Sequence, residues 1–474
     1  MMAAVGKGGR DLVTRLATRL TAVGILIMLL CSQWISSVQG SWQQLNGAVG
    51  TDKWIVNRNV VSADGGLTLA EFERLGERWG QLPITAIART TEAADGGPAA
   101  AAIADIVGVS AGYQNFHQLR IMSGSFFDSS AAESGNRVAV IQADVAERLF
   151  RSGDAVGRSI DIGNTPFTVI GVYDGLGTVL EQMSDDGVPD IIVPVSALLA
   201  ARPDLKIQTL ELAADPDSAI QDEQEIHSAL QSIGHRAEWY EITNMKRIDV
   251  ARSQWSLLMR FINGGIAILL CIKLLMANIG AARMFFKEKT AIADWTDVIR
   301  SERAKVAVFG AAIVGWGACI AAVWLIVRFG FQIPPDWLPD QLIDFRFYTD
   351  KIKSLWQARV EQYGYVPSSG ELLGAAAGRF VSLLFLAGML LGLPSFLIGL
   401  RLAALHPSPP AAIMERLALL IAVATALSFA VIRMSGMDYT VGWTDIAVIA
   451  ALFLSAHHQF QLKKERFANV HQES

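Results

Sequence analysis

Residues 137–174 read RVAVIQADVAERLFRSGDAVGRSIDIGNTPFTVIGVYD, and their pattern decides the fold. Val138-Ala139-Val140-Ile141 is a short apolar run rich in β-branched residues, which predicts a strand. From Asp144 to Phe150 the apolar spacing becomes that of a short helix, and Ser152-Gly153-Asp154 supplies the turn after it. Two more strand patterns follow, at 159–162 and 167–172, broken by Gly163-Asn164-Thr165-Pro166. The order is therefore β-α-β-β. None of the residues that carry this pattern is chemically reactive, which points away from an active site.

Composition places this stretch in a membrane protein. The chain has 474 residues, 52% hydrophobic and 18% charged, against about 45–50% and about 25% in soluble domains. The apolar excess sits in a few blocks, as membrane spans produce. The formal net charge is −5 with no run of like charges, so nucleic acid is not indicated as a partner. Cys31, Cys271 and Cys319 each lie in an apolar block, far apart and without metal-ligand spacing, and read as embedded thiols. There is no G-x-x-x-x-G-K-[ST] loop. The run GDAVGRS at 153–159 comes nearest but lacks the spacing and the lysine, and it fits the domain turn. ATP hydrolysis would have to come from another subunit. His117, His227, His235, His406, His457, His458 and His471 form no H-E-x-x-H or triad partner set, so no catalytic residue, metal or bound cofactor is assigned. His457-His458 closes the last apolar block and reads as interfacial.

The blocks order the chain. Residues 1–20 form a cytoplasmic N-terminus, 21–39 the first span, 40–256 a large polar domain, 257–282 the second span and 283–305 a cytoplasmic segment. Then come a third span at 306–328, a loop at 329–379, a fourth span at 380–401, a loop at 402–416, spans at 417–433 and 442–458, and a tail at 459–474. Lys7, Arg10, Arg15 and Arg19 precede the first block and favour a cytoplasmic N-terminus. Arg283, Lys287, Lys289, Arg300, Arg303 and Lys305, then Arg401 and Arg416, then Lys463, Lys464 and Arg466 fall on that same side. The first block reads either as an uncleaved anchor or as a cleaved signal ending near Val38-Gln39-Gly40. Within the domain, 69–79 and 219–233 have helical spacing, 93–102 reads as a Gly/Ala/Pro-rich turn or linker, and 206–214 alternates. Trp42, Trp54, Trp239, Trp255, Trp337 and Trp443 read as interfacial belt or core. Lys273 sits in the middle of the second block. An amine at that depth costs about 2.5–3.5 kcal/mol on insertion scales, so it is expected to face other helices or water, bonded to a carbonyl or carboxylate or snorkelling. The functional alternative is a contact with a substrate, a lipid headgroup or a partner.

Three sets of residues resemble the MacB/FtsX-type permeases of ABC transporters. The first is Ala146 to Phe150, Val156-Gly157-Arg158-Ser159-Ile160 and Val169-Ile170-Gly171-Val172, similar to that family's extracytoplasmic core domain. The run 103–127 and the strand Asp190 to Val195, which leads to a proline, agree with it. The second is the segment after span two, where Asn278 and Lys287 take the places of the family's Asn and Arg. The family's Glu-Ile-Gly falls on Thr290-Ala291-Ile292 and does not match. What remains is an amphipathic helix pattern, Ile292, Trp295, Val298 and Ile299 among Asp294, Asp297 and Arg300, beside Lys287 and Glu288. The third is the end of the fourth span, Leu393-Pro394-Ser395-Phe396 and Arg401 to Pro407, with Pro394 expected to kink the span and Pro407 to stop the next helix. Residues beyond about 416 exceed the four-span pattern.

The resemblance implies an α-helical integral membrane protein of about six spans, four matching the family, with an α+β extracytoplasmic domain between spans one and two. It favours the anchor reading of the first block. It implies a permease of the bacterial inner membrane without a fused ATPase, coupled to an ABC ATPase subunit that carries ATP and Mg. Lys287, Glu288, Asp294, Trp295, Val298, Ile299 and Arg300 would form the coupling site, and Lys273 and Asn278 are the intramembrane polar residues. A homodimer or second permease subunit, a periplasmic adaptor or other extracytoplasmic protein, and membrane lipid are the implied partners. An FtsX-like membrane regulator that binds an extracytoplasmic partner without transport is the alternative.

Overall fold

A computed structural model describes residues 7–59, 66–80, 82–97, 101–175, 178–183, 190–214, 219–291, 294–328, 332, 345–361, 365–404 and 410–470. The chain enters through a helix at Lys7–Leu45, about 58 Å long at 1.5 Å per residue, so the first apolar block is the middle of a longer rod. A ten-stranded sheet follows: β1 (Lys53–Arg58), β2 (Ile84–Asp95), β3 (Ala102–Val109), β4 (Arg120–Gly124), β5 (Val138–Gln142), β6 (Ser159–Ile162), β7 (Thr165–Asp174), β8 (Ile191–Pro194), β9 (Thr209–Ala213) and β10 (Tyr240–Asn244).

The strand order is β10-β1-β9-β2-β3-β8-β5-β7-β4, with β6 paired to β2 and β7. The first four strands are mutually antiparallel neighbours. They are built from two interleaved β-α-β units, β1 and β2 joined through helix Leu69–Trp79, and β9 and β10 joined through helix Ala219–Ser232. This is the split β-α-β arrangement, here called the inner half. The remaining strands, the outer half, are inserted between β2 and β9. Thr68 starts helix Leu69–Trp79 with a capping box, its hydroxyl accepting from the Glu71 N–H while the Glu71 carboxylate accepts from Thr68.

The outer half contains 137–174 as the spacing predicts. β5 and β7 are parallel, and helix Ala143–Phe150 crosses between them. Val145, Ala146, Leu149 and Phe150 point into the core, and Arg151 ends the helix at φ 51. Gly163 and Asn164, at φ 53 and 66, make the two-residue turn between β6 and β7. Both angles being positive, the turn matches the twist of the strands. The stretch read as a turn or linker at 93–102 joins two antiparallel strands, and its described ends extend the ladder: Ala93 and Ala94 pair with Ile103 and Ala102.

Most of the helices after β10 form the bundle. A helix at Met245–Thr290 is 46 residues long. Then come Trp295–Ser301, Arg303–Val327 and Phe345–Glu361. The next rod runs Ser369–Ala387, through a π turn at Gly388–Gly392, into Leu393–Ala403. Pro410–Met434 and Trp443–Val470 complete it. Among the described residues five helices are long and apolar enough to cross a membrane, and Trp443–Val470 is not one of them. The segment read as a loop at 329–379 contains Phe345–Glu361 and the start of the Ser369 helix. Pro394 does not break its rod. The missing N–H falls just after the π turn, which absorbs the irregularity, while Pro407 and Trp337 lie outside the described residues. Small residues let the first and fourth rods touch: a Cβ on Gly24 would lie 2.5 Å from the Phe396 nitrogen, and one on Gly399 would lie 2.5 Å from the Thr21 nitrogen.

Candidate coupling route

The long helix is the frame of the site. It starts where β10 ends, with Asn244 as its cap, accepting from the Arg247 N–H at 3.1 Å. It ends at Thr290 beside the segment whose spacing predicts a short amphipathic helix. At 1.5 Å per residue, one helix of about 69 Å joins the sheet to that segment.

At its far end, helix Trp295–Ser301 forms as the spacing predicts. Asp294 caps it through its carbonyl, which accepts from the Asp297 and Val298 N–H groups. Val298 is the inward residue, 3% exposed, whereas Trp295 is 66% exposed. The expected apolar stripe is therefore split: Val298 packs inward, Trp295 and Ile299 face out, and Ile292 lies outside the described residues. Lys287, Glu288, Asp294 and Arg300 are exposed around them. Glu302 reaches Lys305 at 3.1 Å and Lys289 at 3.6 Å, tying the end of the long helix to the start of the next. The Lys305 hydrogen bond, with the charge of Lys289, holds the Glu302 carboxyl below its ordinary value.

Of the two intramembrane polar residues, Asn278 satisfies itself by donating to the Leu274 carbonyl at 2.9 Å. Lys273 is exposed on the side of the long helix, with no partner among the described residues. The Leu274 and Cys271 side chains take the buried positions beside it. Cys271 and Cys319, far apart in sequence, meet with their sulfurs 3.8 Å apart.

The sheet end of the route is a polar joint that local sequence patterns do not reveal. β1 and β9 alternate, so Trp54, Val56, Leu210 and Leu212 enter the domain core, while Lys53, Ile55, Asn57, Thr209 and Glu211 face the opposite side. Lys53 and Glu211 are 0% and 1% exposed and pair at 2.8 Å, with His117 3.0 Å from the other carboxylate oxygen. Burial alone would push the Glu211 carboxyl up; His117 and Lys53 outweigh it and hold it down at about 2. Beside this pair, Glu371 in the first turn of the fourth rod gathers the joint. It accepts from the Thr243 hydroxyl of β10 at 3.0 Å, from the Asn57 amide of β1 at 3.3 Å and from Tyr365 at 2.8 Å. It also closes a capping box with Ser368. Ser368-Ser369-Gly370-Glu371 is the one local signal for this helix start. A cleft of about 690 Å³ lies between the sheet and this turn, lined by Asn57, Arg89, Gln208, Glu211, Val366 and Ser368 among others. Arg252, in the second turn of the long helix, is 4% exposed, pairs with Asp249 at 2.8 Å and lies 4.2 Å over the Trp42 ring.

Residues 16–229 match the family model of the MacB-like periplasmic core domain. The chain is 30% identical over 177 residues to the pyoverdine export ATP-binding/permease protein PvdT of Pseudomonas syringae pv. syringae, covering 36% of this chain and 26% of that protein. It is 27% identical over 188 residues to the uncharacterized ABC transporter permease YknZ of Bacillus subtilis, covering 40% and 46%. It is 30% identical over 171 residues to the macrolide export ATP-binding/permease protein MacB of Wolinella succinogenes, covering 35% and 26%. The chain thus spans less than half the length of these relatives. Among solved structures it matches the periplasmic region of MacB from Actinobacillus actinomycetemcomitans at a TM-score of 0.36 and 16% identity, over 42% of this chain and 92% of that one. The resemblance carried by 137–174 holds: the chain bears a MacB-like periplasmic core domain and is similar to ABC transporter permeases.

Proposed function

We propose, from the MacB-like periplasmic core domain in residues 16–229, that this protein is a permease subunit working by mechanotransmission. A separate ABC ATPase, which carries ATP and Mg, docks on Trp295, Ile299 and the charges around them. Its closure moves the end of the long helix, and the helix passes that motion to β10 and the polar joint. The domain then expels a substrate on the extracytoplasmic side or acts on an adaptor there. On this reading the N-terminus and the coupling segment lie in the cytoplasm of a bacterium, the bundle of about six spans lies in its inner membrane, and the protein pairs with a second copy or a second permease.

The observation that carries this reading is the single helix Met245–Thr290, uninterrupted between the sheet and the coupling segment. A signal sent along it needs two stable packings of the bundle, biased by nucleotide in the partner. The test is affinity capture of the tagged protein from native membranes, followed by mass spectrometry and an ATPase assay. A nucleotide-binding subunit that co-purifies, and is released by Trp295→Ala with Ile299→Ala, supports the permease. Recovery of an extracytoplasmic protein with no ATPase replaces it by the regulator reading, which the departure of Thr290-Ala291-Ile292 from the family pattern favours.

A further inference from the structure

Helices Pro410–Met434 and Trp443–Val470 lie outside the four-span pattern and outside the coupling route, yet they are closely held. Pro410–Met434 packs along the first helix and Trp443–Val470 along the long helix. Near the sheet end of the bundle, Arg260 of the long helix pairs with Asp445 at 2.7 Å, and Asp445 is buried. Phe453 packs on Phe396, and His458 stacks on Trp316.

The turn between the two helices makes contacts of a different kind. Tyr439 donates to the Gln33 side chain at 3.0 Å, and Gln44 donates to Asp438 at 3.3 Å, so the turn grips the first helix in two places. The Ser435 carbonyl accepts from the Val179 N–H at 3.1 Å. Val179–Met183 is a five-residue helix within the connection from β7 to β8, both strands of the outer half. Leu180, its second residue, is fully buried, in one apolar cluster with Ile432 of the helix pair, Met437 of the turn, Trp42 of the first helix, and Leu373 and Ala377 of the fourth rod. A helix of five residues has no stability of its own, so its place is set by what it packs against.

We propose that the C-terminal helix pair is a strap that positions the outer half of the extracytoplasmic domain on the bundle, through Ser435 to Tyr439 and the finger Val179–Met183. The inner half is fixed by the Glu371 joint and the long helix; the outer half meets the bundle through the strap, through the packing of Val179–Met183 on helix Ser369–Ala387, and through the bonds of Asn115 and Gln118 to the end of the first helix and the turn after it. Motion of the long helix then becomes shear between the two halves instead of rigid tilting of the whole domain. The inference goes beyond the permease reading, because the strap holds whether or not an ATPase binds.

The test uses the full chain in lipid nanodiscs without nucleotide or partner, with Cys31, Cys271 and Cys319 replaced by alanine. Spin labels at Asn136→Cys, exposed in the outer half, and Arg379→Cys, exposed on the fourth rod, report one distance. A single narrow distribution is expected. Met437→Ala with Asp438→Ala should broaden it roughly twofold, as should truncation after Ala404, while amide exchange of β1 is unchanged. A width unchanged in both variants overturns the strap. If the truncated chain does not fold, the paired substitution decides alone, and its unchanged width overturns the strap. Because no ATPase enters this experiment, its outcome is separate from that of the capture assay.

Discussion

Replacing Lys53 by methionine keeps the aliphatic stem and removes the charge that faces Glu211 in the polar joint. Both side chains are withdrawn from water, at 0% and 1% exposure, and their atoms are 2.8 Å apart. Removing Lys53 leaves the buried carboxylate with His117 alone, 3.0 Å from its other oxygen, and costs up to about 3–5 kcal/mol, that of a fully stranded buried charge. The partner lost is a strand neighbour, so the cost should appear as opening of β1 from β9. Amide exchange of the full chain, read by mass spectrometry over peptides 53–58 and 209–213, should accelerate by roughly two to three orders of magnitude, tenfold per about 1.4 kcal/mol. Glu211→Leu in the same chain removes the stranded carboxylate, and the double variant should return to within about tenfold of the parent. A single variant that exchanges less than about tenfold faster would refute the reasoning. The pair would then be hydrated or would already be free to separate.

The same carboxylate sets an acid limit. Its folded value, about 2, lies below its ordinary value of 4.5, so the stabilisation is complete above that value and is lost as pH falls toward 2. Between about pH 6 and about pH 3 the parent should lose on the order of 2 kcal/mol more than the Lys53→Met/Glu211→Leu variant, read by denaturant midpoints at each pH. Copper-phenanthroline oxidation in membranes should join Cys271 to Cys319, whose sulfurs lie 3.8 Å apart, and leave buried Cys31 reduced, to be alkylated only after denaturation; a bridge to Cys31, mapped by mass spectrometry, would contradict the packing of the bundle. Gly399→Val should destabilise the detergent-solubilised protein by about 1–3 kcal/mol or more, read as a lowered thermal midpoint, because the added carbon meets the backbone of Thr21. Glu371→Ala should raise amide exchange in β1 and β10 together, since one carboxylate accepts from both strands; a change confined to residues 365–372 would reduce its role to capping.

The legible parts of this molecule are those whose information is local. Gly163-Asn164 marks its hairpin because few other pairs accept two positive φ angles, and the apolar spacing of 144–150 marks its helix. Helix Trp295–Ser301 is legible as a period but not as an orientation. Seven residues make two turns, and either Val298 or Trp295 could have faced inward until the neighbouring helices were in place. Lys273 was legible as an anomaly, but its side chain points outward because Cys271 and Leu274 fill the inward positions. The polar joint was not legible at all. Lys53 meets Glu211 across 158 positions and Asn57 meets Glu371 across 314, and nothing in a strand sequence distinguishes a lysine covered by a distant helix from one in water.

The π turn at Gly388–Gly392 contains one residue more than an α-helix would place there. One residue is about 100° of helical rotation at 3.6 residues per turn. The inserted residue therefore sets the azimuth of everything after it. With it, Phe396, Gly399 and Leu400 are turned inward and buried, and Gly399 meets Thr21. Without it, the same rod would present a different third of its circumference to the first helix, with no glycine at the crossing. Deleting a single residue from 388–392 would leave composition and hydropathy nearly untouched and yet re-index half a span, so the pairing of these two rods is held by a phase offset as much as by the side chains that meet.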